Sequence, residues 1–389
     1  MKMAITPIRG ALLLIVLTSS ILLAQEEQWL QYRYDKDARS IVGGSGARLQ
    51  LNTEAPEGVK LPKLKGEPLF DQWKTPMVKA GFLHVAVERS TTNGPYDRLY
   101  LDRNANGSLA DEEALKPYQT DTRSAMWGPV KLVFDSEDGP ITYHINLRSY
   151  VSDDYRYLYV YAGGWYEGTI TLNGKSQACT LVDFNGNGVF NDRSTDLFQA
   201  DRIRVGDKEK QDLRMVGELL QVDDTLYTLE VAQDGAFVVL DRAQDVTYGQ
   251  IRVPNNITSF GAGGLQGQFD RIPKEGLVKL PIGKYRIEHW AIDRQDEGAQ
   301  WQVKGSYVND KGLFVVAVDQ EASLTVGEPL QSSLTVSNDN QKYAVRQKLE
   351  GQLGEYIQIT RAGKRPRAPK LVVKSKDGKY NRTYNFEYG

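Results

Sequence analysis

Two segments carry oxygen-bearing side chains at a spacing with a definite chemical use. In the first, Asp102, Asn104 and Asn106 alternate along the chain, Gly107 follows, and Ser108 and Glu113 fall at the seventh and twelfth positions. Alternate side chains in a tight loop point inward, a glycine at the sixth position permits a sharp turn, and the turn then offers the next backbone carbonyl. A closing glutamate adds two more oxygens. That set suits calcium, a hard cation that takes six to eight oxygens at about 2.3–2.6 Å. Leu109, at the eighth position, is apolar and free to pack underneath.

The second segment repeats the pattern with Asp183, Asn185, Asn187 and Gly188, the carbonyl of Val189 at the seventh position and Phe190 at the apolar eighth. Its twelfth residue is Ser194, so Asp192 or Asp196 is expected to supply the closing carboxylate. Two asparagines in each loop reduce the negative charge, which predicts weak affinity, on the order of 10⁻⁴–10⁻³ M, as in extracellular calcium modules. The plainer alternative in both places is an Asn-Gly turn without a metal.

Over the loops themselves, the two segments resemble the calcium loops of EF-hand and dockerin proteins. The resemblance implies calcium as the bound cofactor, with Asp102, Asn104, Asn106, Ser108 and Glu113 as one ligand set. The flanks depart from it. Each loop follows a strand-like run, Leu99–Leu101 or Thr180–Val182, and only Asp111–Leu115 reads as the start of an exiting helix. A strand–loop–helix variant within a β domain is therefore expected. Leu280-Pro-Ile-Gly-Lys-Tyr285 resembles the turn of carboxypeptidase-regulatory-like and Cna-B-like sandwiches, which are usually noncatalytic modules. The closing Tyr384–Tyr388 run is similar to that of many uncharacterised secreted bacterial β-rich proteins.

Catalytic constellations are missing from the sequence. His84, His144 and His289 share no motif, and there is no zinc helix, phosphate loop or nucleophile elbow. Adjacent acids such as Asp153-Asp154 and Asp223-Asp224 would point to opposite faces of a strand and read as turns. No residue is assigned a catalytic role. Cys179 is the only cysteine, which excludes an internal disulfide, and it lies in a strand-like run as a buried thiol.

The elements around the loops read as β. Glycine (36) and tyrosine (21) are abundant, and β-branched or aromatic runs recur between Gly, Asn, Asp and Pro. The expected fold is mainly β, with two or three sandwich-like domains and EF-hand-like loops inserted after strands. Residues 1–24, with Lys2 and Arg9 before an apolar stretch ending at Ala24, read as a cleaved Sec-type signal peptide. Residues 25–75 read as an extended, loop-rich arm, and 76–205 as a β domain carrying both loops. Residues 212–389 read as a sandwich-like region, with a weaker break near 295. Helix is expected only at Asp111–Leu115 and Leu197–Ala200.

The net charge of −2 and the lack of a basic stripe argue against nucleic acid, and no segment beyond the signal is apolar enough to remain in a membrane. Tyr155, Tyr157, Tyr159 and Tyr161 share one face of a strand. That face reads as one side of a packed sheet, with sugar or peptide stacking as the alternative. The expectation for the whole is an exported, periplasmic or secreted, noncatalytic calcium-binding protein that is structural or binds a protein or carbohydrate at the cell surface. The competing expectation is a calcium-dependent hydrolase acting on polysaccharide or peptide.

Overall fold

The computed structural model describes residues 26–388, apart from 210, 297, 307, 308, 340 and 341. The expected signal peptide lies outside the described residues. The fold is mainly β with several separate sheets, as the sequence predicts. Among the described residues the one α-helix is Ala38–Val42. Neither Asp111–Leu115 nor Leu197–Ala200 is helical. After the first loop the chain turns back instead, and the Leu115 amide donates to the Leu99 carbonyl at 2.7 Å. A strand–loop–turn replaces the expected strand–loop–helix.

Residues 26–75, read as an extended, loop-rich arm, pair with the body through short strands. Gln28–Trp29 pairs with Phe237–Arg242, Gln31–Tyr34 with Gly164–Leu172, and Ala47–Gln50 with Arg156–Ala162. Leu69–Lys74 then opens a three-stranded antiparallel sheet with Phe82–Arg89 and Tyr96–Leu101. These strands are too short, and too interrupted by Gly43-Gly44 and the prolines, to show a period-2 pattern. Tertiary pairing creates them.

The hydrophobic interior falls into two principal clusters. The first runs from Leu30 to Leu240 and includes Trp73, Trp127 and Tyr143, each almost fully buried. The second runs from Ile251 to Ile357 around Phe260, Tyr285 and Trp290. The break between cores thus lies between 240 and 251. The polar stretch at 206–212 is only a loop, joining Arg202–Val205 to the adjacent Arg214–Met215 in one sheet. Position 295 lies on the strand Gly283–Asp296, which pairs with Ala299–Ser306.

Asp234-Gly235 turns the hairpin between Thr225–Val231 and Phe237–Arg242. In the Leu-Pro-Ile-Gly-Lys-Tyr turn, the fully buried Tyr285 donates its hydroxyl to the Pro281 carbonyl at 2.9 Å. No helix among the described residues is long and apolar enough to cross a membrane.

Candidate metal centre

Both candidate loops leave the end of a strand, Tyr96–Leu101 or Lys175–Val182. Both fold by the same internal rules. The first aspartate accepts backbone amides from positions five and six. Asp102 Oδ1 takes the Asn106 amide at 3.1 Å and Oδ2 that of Gly107 at 3.0 Å; Asp183 takes Asn187 at 3.3 Å and Gly188 at 2.7 Å. The asparagine at position three caps the amide at five, and that at five caps the amide at seven. Position four is left-handed in both (Ala105 φ 55°, Gly186 φ 71°), as is position six (Gly107 φ 76°, Gly188 φ 102°). Two separate stretches of sequence converge on one backbone path, which the spacing predicts.

In the first loop the acid that faces the asparagines differs from the expected Glu113; in the second it is Asp192, one of the two expected. In the first loop the carboxylate facing the asparagines is Asp111, at position ten. Its Oδ2 accepts the Nδ2 groups of Asn104 and Asn106 at 2.9 and 2.8 Å. Those donors, Asn104 first, hold the Asp111 carboxyl down to about 2. Glu112 is buried and accepts the Arg103 amide and Nε, whereas Glu113 is exposed. In the second loop Asp192, again at position ten, accepts Asn185 and Asn187 Nδ2 at 2.8 and 2.6 Å. Asp196 does not join the loop; its carboxylate accepts the Phe198 amide at 2.9 Å in the following turn. The signal was in the sequence: Asp stands at position ten of both loops.

The donor set fits a hard cation. Each loop gathers two carboxylates and two carboxamides, all oxygen chemistry. The amide nitrogens now facing Asp111 or Asp192 exchange with oxygens by a half-turn of each carboxamide, at the expense of the bonds to the amides of positions five and seven. Among the described residues no three of His, Cys, Asp and Glu are gathered to hold a metal by themselves, so a cation at either loop would need the asparagine oxygens.

The environments differ. The first loop is superficial, tied to the body by the Asp102 amide on the His84 carbonyl and the Leu109 amide on Lys60. Leu109 is 1% exposed and packs with Phe70, Ala86 and Tyr100, the role expected of position eight. The second loop is driven into the first core. Trp73 donates its indole N–H to the Gly186 carbonyl at 2.9 Å, and the Tyr143 hydroxyl donates to Asp183 Oδ2 at 2.6 Å. A third carboxylate, Asp201, accepts the amides of Phe184 and Asp192. Asp183 and Asp201 are both fully buried. Burial raises the Asp183 carboxyl to about 6; burial, with the charges of Asp183 and Asp192, pushes Asp201 well above the usual carboxylate range. No ion pair among the described residues neutralises either. Isolated buried charge is costly unless it is paired, protonated or bound to a cation. Asp201 carried no sequence signal, because it enters from the far end of the loop.

The histidines occupy separate places: His84 beside the first loop, His144 stacked on Tyr34 at 4.0 Å, and His289 near Asp270. A cavity of about 320 Å³ lies between Tyr32, Tyr166, Thr142, Asp138 and Asp234, with Asp234 engaged in its own turn by the Ala236 amide. No family model, curated protein or solved structure matches the chain.

Proposed function

We propose that the protein is an exported, noncatalytic β scaffold whose two Asp-x-Asn-x-Asn-Gly loops bind calcium and are fixed by it. The observation that carries this reading is the shared geometry of the loops, each with an aspartate at position ten turned onto the asparagines at three and five. The buried acids of the second loop strengthen it, since a divalent cation relieves the repulsion among Asp183, Asp192 and Asp201. Calcium serves as a structural staple: it holds long loops that otherwise rest on turns, and its binding free energy adds to folding stability.

The experiment is a thermal melt of residues 25–389 in EDTA, in millimolar calcium and in millimolar magnesium. A rise in midpoint with calcium alone is expected. Magnesium demands near-octahedral geometry and holds its waters, so it should not reproduce the rise. No difference between calcium and EDTA would refute the reading and leave two asparagine-glycine turns.

A further inference from the structure

Arg156–Ala162 is an inner strand of a five-stranded antiparallel sheet. Its even-numbered residues Leu158 and Val160 are fully buried in the first core. The odd-numbered residues therefore face outward, and all of them, with Tyr155 just before the strand, are tyrosines. The four rings form a row with successive centroids 6.0, 6.2 and 6.1 Å apart. Tyr155 is 50% exposed and the other three are half-buried, so the row is open to solvent. The tyrosine face, expected to be one side of a packed sheet, is open to solvent, and it is the opposite face of this strand that packs.

Three arginines flank the row. Arg48 stands opposite Tyr159 on the edge strand Ala47–Gln50, with its guanidinium 4.8 Å from the Tyr157 ring; Arg148 stands opposite Tyr159 on the other side. Arg39 covers Tyr161 at 4.5 Å and donates to its hydroxyl. None of the three forms an ion pair among the described residues. Arg148 Nε is shielded from solvent and has no hydrogen-bond partner among the described residues; Asp121 is near enough to feel its charge without pairing. A row of aromatic faces edged by guanidinium groups without carboxylate partners, of which Arg39 is held by the Tyr161 hydroxyl and the Gly44 carbonyl, complements a ligand of flat apolar rings bearing spaced carboxylates.

We propose that this face binds an acidic polysaccharide of the uronate class, laid along the tyrosine row. Sugar faces stack on the phenol rings, and carboxylates meet the forked donors of Arg48, with Arg39 and Arg148 adding positive charge along the row. A nucleic acid fits less well, because its denser charge needs a basic stripe that a chain of net charge −2 does not offer. The proposal names the partner of the scaffold and uses no residue of the calcium loops.

The test is affinity electrophoresis of residues 25–389 in native gels containing polygalacturonate, run in EDTA at a temperature where circular dichroism shows the chain folded. EDTA removes calcium bridging by the polymer, so this result and the calcium melt can fail independently. Retardation by polygalacturonate but not by dextran is expected. It should weaken about tenfold for Tyr159→Ala and for the pair Arg48→Ala with Arg148→Ala, and persist in Tyr159→Phe. Absence of retardation would overturn the proposal, as would equal retardation by dextran, indifference to these variants, or equal or stronger binding to single-stranded poly-dT.

Discussion

At the scale of single residues, each loop depends on which carboxylate returns to the asparagines. Asp111 and Glu113 separate two ways of closing the first loop. A closure like that of an EF-hand would use Glu113, whereas the structure turns Asp111 inward and leaves Glu113 exposed. Asp111→Ala should therefore remove the first loop's part of the calcium-dependent rise in melting midpoint, and Glu113→Ala should preserve it. A melt in which Glu113→Ala loses the rise and Asp111→Ala keeps it would put closure back at position twelve. The backbone path of the first half of each loop was legible because alternation, the glycine turn and the apolar eighth residue are local requirements. Closure of the first loop was read at Glu113 instead of Asp111, because the path after Leu109 also depends on a contact with Lys60, a residue distant in sequence. Loop chemistry is encoded nearby; loop closure is encoded by whatever the loop docks on.

At the scale of elements, the second loop is held by one strand that sequence patterning barely shows and one that it shows well. Leu69–Lys74 supplies Trp73, fully buried, whose indole holds the Gly186 carbonyl and whose ring stacks on Tyr143 at 6.4 Å. Tyr143 in turn donates to Asp183. Trp73→Phe retains much of the apolar volume and deletes the donor, leaving a buried carbonyl unsatisfied. The expected cost is about 1–3 kcal/mol, read as a lower denaturant midpoint at unchanged slope, with a smaller calcium-dependent shift. An unchanged midpoint would show that this bond does not anchor the loop. The strands Phe82–Arg89, Ile141–Val151 and Thr225–Val231 extend runs, Phe82–Val87, Ile141–Leu147 and Leu226–Val231, that were legible from their β-branched and aromatic residues and their punctuation. The short strands before residue 51 were not, since two to four residues carry no period and their formation depends on partners more than a hundred residues away.

At the scale of the whole molecule, the polar stretch at 206–212 looked like a domain boundary because composition reports exposure, not which core a neighbouring strand completes. The cores meet instead where Arg202 and Arg214 of the first approach Glu288, Asp270 and His289 of the second. Glu288 is 9% exposed; burial raises its carboxyl to about 7, with Arg202 opposing the shift, Asp270 adding to it, and Gln268 and Arg214 opposing it further. A carboxyl whose folded value lies above its unfolded value of 4.5 binds protons more tightly when folded. Its contribution to stability is complete below about pH 4.5 and is lost as pH rises through about 7. Asp183, raised to about 6 by burial, acts in the same direction in calcium-free buffer, so wild type alone cannot assign the effect. The difference between wild type and Glu288→Gln can. The glutamine keeps the shape and the contact with Gln268 but has no proton to lose, so the variant should lose less stability between pH 5 and pH 8, by an amount on the order of 3 kcal/mol at most. Denaturant melts across that range in EDTA make the measurement. Parallel curves would mean that the junction between the cores admits enough water to leave Glu288 with ordinary carboxyl behaviour, and that the two cores are joined more loosely than their shared hydrogen bonds imply.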